Sequence, residues 1–481
     1  MIRNFFKVAT LSIIFSICFL LLKAQTPDSN PSNKSKKVDS FMTDIYKQGQ
    51  FMGAVLVAEH GKIIYKKGFG FADTKEKEEF KPTTQCYVGS ISKQFTAMGI
   101  VMLKEKGEIE YNRSIRQYFP ELPECYQTIT ILNMLQHTSG LALFDDYPNM
   151  TENDVFEILR KQTSLRFVPG SRFEYCNANY SLLGMLIEKI SGKSLDSFLR
   201  ANIFIPCGMK NTYVDDPTIK NRKRAVGYYL FGDEYNYSTY IGGAASVVST
   251  VEDLYKWDQM LYNPTIISKQ SLTEIFTPGG NKWESNVYGK QGYGFGWFIS
   301  GDENDKIIQH DGGFAGFRSY IEREVNKHNS IIFLSNVRHE LIGNIREGIA
   351  NILNNMPYTI PKISGANWII SKAKEVGMKQ AILDYKSLSE AKDSNYYFSE
   401  RECNSLGYYL LRNNKIDDAI VLFKFNVVLF PNSGNAFDSM GEAYLKSGDK
   451  ESALISYKKA FKLDPGNSNA AEIIKKLENR Q

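Results

Sequence analysis

Apolar positions near the two ends of region 51–355 have the spacing of β-strands. Residues 52–59 and 62–65 are two β-rich runs separated by Gly61, a pattern that predicts a hairpin. Residues 293–299 and 330–335 also have the composition of strands. Strands at both ends of one region predict a sheet that is closed by distant segments of the chain.

Helical periodicity lies between and after these strands. Residues 95–106 show apolar spacing of about 3.6 and are followed by Gly107, and residues 180–190 repeat this pattern before Gly192. A further helix is predicted over 341–354. The arrangement predicts an α+β fold, in which an antiparallel sheet has flanking helices.

The C-terminal part of the chain repeats itself at an offset of 34 residues. The matching positions are Gly407 and Gly441, Ala419 and Ala453, Phe423 and Tyr457, and Pro431 and Pro465. Period and residue types resemble the tetratricopeptide repeat (TPR), in which small residues let paired helices cross closely. We therefore predict a small all-α TPR-like domain at 401–481 and connecting helices at 358–400. The TPR-like domain would bind a protein partner or stabilise the rest of the protein.

The N-terminus has the pattern of an export signal. Arg3 and Lys7 precede an apolar run over 8–22, and Ala24 offers a small residue for cleavage. We predict a cleaved signal peptide at 1–24, with an uncleaved anchor as the alternative. Residues 25–37 contain mainly Ser, Asn, Pro and Lys, which predicts a flexible tether. The mature protein is then expected to be periplasmic or secreted, without a stable membrane span.

Composition and charge narrow the class of function. The chain has 481 residues, of which 43% are hydrophobic and 23% charged, as in ordinary globular proteins. Its 58 basic and 53 acidic residues give a net charge of +5. No concentrated basic stripe is present, so nucleic acid is not an expected partner. The spacing of the five histidines and six cysteines fits no metal site, and no metal or cofactor is expected.

Candidate chemistry begins at Ser90 and Lys93. Both precede or open the first long predicted helix, and a spacing of three places them on one helical face. A serine hydroxyl becomes a good nucleophile only when a neighbouring base takes its proton, and lysine can do this if its environment favours the neutral amine. The pattern alone is weak because Ser-x-x-Lys recurs in the C-terminal helices, where exposed surface pairs are expected.

Two further elements contain suitable polar groups. Tyr175 and Asn177 lie just before the helix at 180–190, where a phenol can relay a proton and an amide can bind lysine or substrate. His310 and Gly312 lie between two predicted strands, which suggests an active-site edge strand with room for substrate backbone. For His310 alone, a structural hydrogen-bonding role is an equal alternative.

Taken in order, these elements resemble those of a known superfamily. From residue 38 to 357 the chain resembles the serine β-lactamase and penicillin-binding superfamily, in its class C β-lactamase, DD-peptidase and esterase branch. The resemblance rests on Ser90-x-x-Lys93, Tyr175-x-Asn177 and His310-x-Gly312, and on segments at 135–141, 204–209, 242–249 and 293–297. It implies a sheet with flanking helices plus an all-helical domain.

The resemblance also implies roles for these residues. Ser90 would attack a carbonyl, Lys93 and Tyr175 would share proton transfer, and the backbone N–H groups of Ser90 and Gly313 would form the oxyanion hole. Substrate binding would fall to Asn177, His310, Gly312 and Gly313. His137 and Ser139 are expected to have structural roles, because buried polar groups usually have local partners.

One departure from the branch concerns the substrate. The third element has His310 where its β-lactamases usually have lysine, and histidine is half-charged only near pH ~6.5. Asp311 adds a negative charge, so we expect weaker binding of a substrate carboxylate. The sequence thus predicts an exported serine hydrolase acting on an ester, a D-amino-acid peptide or a β-lactam-type carbonyl, with a small molecule or peptide such as a cell-wall fragment as substrate. The alternative is a catalytically silent envelope adaptor that acts through its repeats.

Overall fold

Strands and helices are described in the computed structural model for residues 31–143, 150–215, 223–229, 234–235, 240–285, 288–339, 341–390 and 395–479. The strands are β1 (Gly53–Glu59), β2 (Lys62–Phe69), β3 (Phe71–Asp73), β4 (Glu78–Glu79), β5 (Cys86–Tyr87), β6 (Tyr213–Val214), β7 (Val247–Ser249), β8 (Trp283–Ser285), β9 (Gly289–Tyr293), β10 (Phe298–Ser300), β11 (Ile307–Phe314), β12 (Phe317–Glu324), β13 (Asn329–Ser335), β14 (Ile363–Ser364) and β15 (Tyr396–Tyr397).

The α-helices are α1 (Pro31–Lys47), α2 (Ser92–Glu105), α3 (Ile131–Leu135), α4 (Glu152–Arg160), α5 (Asn177–Ser191), α6 (Leu195–Leu199), α7 (Val251–Met260), α8 (Lys269–Ile275), α9 (Ile342–Leu353), α10 (Gly365–Val376), α11 (Met378–Glu390), α12 (Glu400–Arg412), α13 (Ile416–Leu429), α14 (Gly434–Ser447), α15 (Lys450–Leu463) and α16 (Ser468–Glu478). Within the ranges that the structure describes, no helix is both long and apolar enough to cross a membrane.

One antiparallel sheet joins strands from both ends of the region 53–335. Its order is β2-β1-β13-β12-β11-β10-β9-β8, and every neighbouring pair is antiparallel. Gly53 at the start of β1 lies opposite Ser335 at the end of β13. This confirms the predicted α+β class and the closure of the sheet by distant segments.

The sheet is covered on both faces, and this explains why β1 is apolar at successive positions. Side chains alternate between the faces of a strand. Val55 and Val57 belong to a core shared with α1 and α9, whereas Leu56 and Ala58 belong to a larger core shared with α2, α5 and α7. The second core supports the helices that carry the candidate catalytic residues.

Residues 31–37 are helical, which corrects the prediction of a flexible tether over 25–37. α1 begins at Pro31, because the fixed φ of proline suits a first helical turn. The apolar residues that follow share one helical face and are buried: Val38, Phe41, Met42 and Ile45. The predicted signal peptide at 1–24 and the tether residues 25–30 lie outside the described residues.

The start of α1 is also fixed by a buried charge. Lys34 Nζ donates to Glu59 Oε1 at 2.5 Å and to the carbonyl oxygen of Leu353 at 2.6 Å. These contacts tie α1 to β1 and to the end of α9. The contacts of Lys34 therefore help to hold this polar segment in place.

The run 293–299, predicted as one strand, is divided between two strands. β9 ends at Tyr293 and β10 begins at Phe298. Between them Gly296 has a φ of +78°, and a Cβ there would lie 2.9 Å from the backbone nitrogen of Gln94. Close contact with the start of α2 therefore interrupts the strand. The other predicted elements are confirmed as the β1–β2 hairpin, α2, α5, β13 and α9.

The C-terminal region is helical, as predicted. α10 and α11 lie in the span 358–400, and the starts of α12 and α14, like those of α13 and α15, are 34 positions apart. Gly407 packs against the ring of Phe423, where a Cβ would collide with the ring, and Gly441 lies against Tyr457 in the same way. Equivalent glycines thus allow equivalent helix pairs to approach closely, while the assignment to the TPR family stays a prediction.

Candidate active site

Ser90 lies in a short 3-10 turn, Gly89–Ile91, that leads directly into α2. Gly89 has a φ of +52°, and a Cβ on it would lie 2.7 Å from the backbone nitrogen of Gly313. Glycine permits both this conformation and the close approach. Ser90 is partly exposed whereas its two neighbours are buried. The serine hydroxyl is therefore presented on a rigid turn next to β11.

Lys93 is fully buried one helical turn after Ser90. Its Nζ donates to Ser90 Oγ at 3.0 Å, to Asn177 Oδ1 at 2.9 Å and to the carbonyl oxygen of Ala244 at 2.9 Å. A buried amine needs such partners, because an unpaired polar group is costly away from water. Proton transfer between Ser90 and Lys93 would need no intervening group.

The carbonyl of Ala244 was not predicted as part of the site. It belongs to a 3-10 turn, Gly242–Ala244, that packs between α2 and α5. Thr96 Oγ1 donates to the carbonyl oxygen of Gly243 at 2.8 Å, and a Cβ on Gly243 would lie 2.6 Å from the carbonyl oxygen of Tyr180. The run of small residues at 242–245 was the available signal, since only small residues fit between these helices.

Tyr175 and Asn177 lie at the start of α5, on the other side of Lys93. Asn177 is the first residue of the helix, and its amide oxygen accepts from Lys93. The ring centroid of Tyr175 lies 4.9 Å from Lys93 Nζ, within the range of a cation–π contact. The structure thus brings together the first two elements that the sequence singled out.

His137 fixes the loop that carries Tyr175. Its Nδ1 accepts from the backbone N–H of Cys176 at 3.1 Å and from Asn179 Nδ2 at 3.1 Å, and its ring lies 4.3 Å from that of Tyr175. Burial lowers the pKa of His137 well below its ordinary value, so the ring is neutral. Ser139 Oγ donates to Asn179 Oδ1 at 2.6 Å. Ser139 and Nδ1 of His137 thus have the local partners expected of a structural role, whereas Nε2 of His137 has no hydrogen-bond partner among the described residues.

The third element lies on β11, close to the Ser90 turn. β10 pairs with β11 only over Ile307–Gln309, so the strand forms an edge from His310 onward and not along its whole length. Ser319 Oγ, on β12, donates to the carbonyl oxygen of Val88 at 2.7 Å, and a Cβ on Gly312 would collide with that carbonyl. Glycine at 312 therefore allows β11 to approach the nucleophile turn.

His310 is buried and uncharged at neutral pH. Its Nδ1–H donates to the carbonyl oxygen of Asp311 at 2.6 Å, and its Nε2 accepts from the hydroxyl of Tyr293 at 3.0 Å. Burial lowers the pKa of His310 to about 4, although the charge of Asp311 acts in the opposite direction. The expectation of a half-charged cation near pH 6.5 is therefore wrong, because sequence alone did not reveal the burial.

A cation that the sequence did not reveal lies on the opposite face of β11. Asp311 pairs with Tyr320 and Gly313 pairs with Arg318, so Asp311 and Arg318 share a face that excludes His310. Asp311 is exposed, and a Cβ on Gly313 would collide with the guanidinium of Arg318. The repulsion expected between Asp311 and a substrate carboxylate is therefore opposed by the positive charge of Arg318 on the same face.

Comparisons with known proteins show which proteins the chain is similar to. A family model described as Beta-lactamase matches residues 37–348. Penicillin-binding protein 4* of Bacillus subtilis (strain 168) is 32% identical over 361 residues, which cover 69% of this chain and 78% of that protein. The octameric penicillin-binding protein homologue from Pyrococcus abyssi has a TM-score of 0.60 at 24% identity, covering 67% of this chain and 77% of its own. A penicillin-binding protein from Bacillus halodurans has a TM-score of 0.57 at 22% identity, covering 66% and 98%.

Proposed function

Because the chain belongs to the β-lactamase family and is a serine hydrolase of that family, we propose that it is an exported enzyme that forms an acyl-enzyme at Ser90. The observation that carries this proposal is the 3.0 Å contact between Ser90 Oγ and the buried Nζ of Lys93. A nucleophile in direct contact with a potential base is the arrangement that covalent catalysis requires. A catalytically silent adaptor has no physical need to keep Lys93, Tyr175 and Asn177 in contact with one another.

The proposed reaction has two steps. Ser90 Oγ bonds to the carbonyl carbon while its proton passes to Lys93 and on through Tyr175 to the leaving atom, as the bond between that atom and the carbonyl carbon breaks. The backbone N–H groups of Ser90 and Gly313 would stabilise the negative oxygen that develops, and the close approach of Gly89 to the backbone nitrogen of Gly313 supports this assignment. Water then hydrolyses the acyl-enzyme and restores Ser90.

We assign the substrate to esters, D-amino-acid peptides such as cell-wall fragments, or β-lactam-type carbonyls. The names of the relatives support a penicillin-like carbonyl, and the uncharged His310 supports substrates that need no cation at the third element. A panel of these three substrate types, with release of each product followed by chromatography, distinguishes among them.

Acylation kinetics test the proposal. A small fluorophosphonate or a fluorescent penicillin should label the wild-type protein, and Lys93→Ala should slow labelling by about 10² to 10⁴, the range for a positioned base. Lys104→Ala is the matched control, since this half-buried lysine near the end of α2 pairs with Glu274 at 3.1 Å, and it should label at the wild-type rate. A wild-type protein that labels with neither reagent is the silent adaptor, and an unchanged rate in Lys93→Ala would remove this lysine from the mechanism.

The proposal extends to the ends of the chain. Residues 1–24 would direct export, and the helices of 401–481 would form TPR-like repeats that bind a protein partner. Deletion of the residues after 361 should leave a folded hydrolase if the repeats only dock a partner. Gln50 donates to the carbonyl oxygen of Lys362 at 3.2 Å and accepts from the backbone N–H of Ser364 at 3.1 Å. The truncated protein should therefore lose some thermal stability but keep its rate of ester hydrolysis, and an inactive protein would make the helices part of the catalytic unit.

A further inference from the structure

Four partly exposed aromatic rings form a continuous surface that begins at Tyr175. The ring of Phe298 lies 6.3 Å from that of Tyr175 with planes 14° apart, and Trp283 lies 6.1 Å from Phe298. Phe173 stacks on Trp283 at 4.3 Å. We call these four residues, Tyr175, Phe298, Trp283 and Phe173, the aromatic wall. They come from the loop before α5, from β8 and from β10, so three separate elements of the fold contribute to one surface.

Buried rings hold the aromatic wall in place. Tyr293 lies 4.8 Å from Phe298 and His310 lies 4.9 Å from it, and both residues are about 1% exposed. Phe173 also lies 5.7 Å from Tyr293. The wall is therefore fixed before any ligand arrives. Exposed apolar surface of this kind, beside a reactive centre, is typical of a binding site.

The position of the wall relative to the nucleophile indicates what it binds. Ser90, Lys93 and the ring of Tyr175 follow one another at contact distance, and the wall continues beyond Tyr175. The backbone of Gly313, which would hold the carbonyl oxygen, meets the Ser90 turn at Gly89. If Tyr175 protonates the leaving atom, the group attached to that atom must lie on the Tyr175 side.

We infer that the aromatic wall binds the leaving group of the substrate and that this group is aromatic or bulky and apolar. The inference rests on the proposed function. During acylation the bond from Ser90 Oγ to the carbonyl carbon forms, the bond from that carbon to the leaving oxygen breaks, and the serine proton reaches that oxygen through Lys93 and Tyr175. The released alcohol or phenol would then be in contact with Phe298 and Trp283.

Acetate esters with different leaving groups test this inference, because the acyl group stays constant. For each ester, the ratio of kcat/KM between variant and wild type cancels the intrinsic reactivity of the leaving group. Phe298→Ala should lower kcat/KM for 2-naphthyl acetate by about 10-fold, the loss expected for apolar contact in a pocket. The loss for trifluoroethyl acetate, whose leaving group is small, should stay below about 2-fold. Trp283→Ala should act in the same direction.

Two controls separate binding from folding. Phe298→Leu keeps an apolar side chain at the start of β10 and should recover part of the loss, whereas Phe461→Ala changes a 38% exposed ring on α15 and should have no effect. Labelling of Phe298→Ala by a small fluorophosphonate at the wild-type rate shows that Ser90 is still intact. In a second series, p-nitrophenyl acetate, butyrate and octanoate, the loss in Phe298→Ala should not depend on the acyl group.

The possible results are distinct. Losses that increase with acyl length, or that are equal for naphthyl and trifluoroethyl acetate, would overturn the leaving-group assignment while the hydrolase proposal stands. A wild-type protein that hydrolyses none of the esters and takes up no phosphonate would overturn the proposed function and this inference with it. A loss confined to the large leaving groups supports both.

Discussion

The hydroxyl of Tyr293 donates a hydrogen bond to Nε2 of His310 at 3.0 Å, while Nδ1–H of the same ring donates to the carbonyl oxygen of Asp311. The two contacts fix one neutral tautomer, because each ring nitrogen has a defined role. Burial lowers the pKa of His310, and the bond from Tyr293 requires a neutral Nε2, whereas the charge of Asp311 and the bond to its carbonyl act in the opposite direction. This element therefore acts as a neutral hydrogen-bonding group.

Removal of the Tyr293 hydroxyl should raise the pKa of His310. Tyr293→Phe keeps the ring but loses the bond to the neutral imidazole, so the pKa should rise from about 4 by roughly 1, since one hydrogen bond is worth about 1 kcal/mol. NMR titration of the histidine ring protons measures this directly. The control is Tyr255→Phe, because the hydroxyl of Tyr255 donates to the carbonyl oxygen of Gly61. A His310 pKa that is the same in Tyr293→Phe and wild type would show that burial alone sets it.

A buried carboxyl should make stability depend on pH. Glu152 lies against Gly242, and its Oε1 has no hydrogen-bond partner among the described residues. Burial, followed by the charge of Glu188, raises the pKa of Glu152 from 4.5 to about 8. Below pH 4.5 the carboxyl is protonated in both the folded and the unfolded protein, so its contribution to the free energy of unfolding is fully present. That contribution is lost as pH rises from 4.5 through about 8.

Glu152→Gln should remove this dependence. Between about pH 5 and 9 the wild-type free energy of unfolding should fall by on the order of 1 to 3 kcal/mol more than that of the variant. Urea unfolding at several pH values measures the difference, and Glu347→Gln, an exposed change on α9, should retain the wild-type slope. Parallel curves for wild type and Glu152→Gln would show that the carboxyl is ionised in the folded protein at neutral pH.

The shared face of β11 and β12 should influence the choice between charged and neutral substrates. Arg318→Gln should lower kcat/KM for a peptide with a free C-terminal carboxylate, relative to its methyl ester, by about 3- to 10-fold, since a pair of charges near 4 Å is worth a few kcal/mol before screening. Asp311→Asn should change the ratio in the opposite direction and by less, because Asp311 is exposed. The ratio is measured over a range of salt concentrations. An equal loss for both substrates in Arg318→Gln would assign the arginine a purely structural role.

Parts of the site were predictable because they depend on local geometry. Ser90 and Lys93 are one helical turn apart, so any helix that begins near Ser90 brings them together. Gly312 was singled out because it lacks a side chain, and it lies where β11 meets the Ser90 turn. The strand pattern at 52–65 needed only alternation and a glycine turn, and it was confirmed as a hairpin.

Other parts depend on contacts between distant segments, which a single sequence does not encode in any local pattern. Ala244 acts through a carbonyl that every residue has, and only the register of β11 with β12 places Arg318 on the same face as Asp311. Burial dominates the charge of His310, against the opposing effect of its sequence neighbour Asp311. Residues 31–37 are polar apart from Pro31, and the contacts of Lys34 with β1 and α9 help to hold them in place.

The most direct test of the account is the intact mass of the protein after brief exposure to a fluorophosphonate, for wild type, Ser90→Ala and Ser92→Ala. Ser92 is the matched control, since it lies in the same motif but is buried, with its Oγ accepting from the backbone N–H of Val247 at 3.0 Å. Wild type and Ser92→Ala should each gain the mass of one adduct, and Ser90→Ala should gain none while melting at nearly the same temperature. An adduct of the same mass on a folded Ser90→Ala protein would contradict the assignment of Ser90 as the nucleophile.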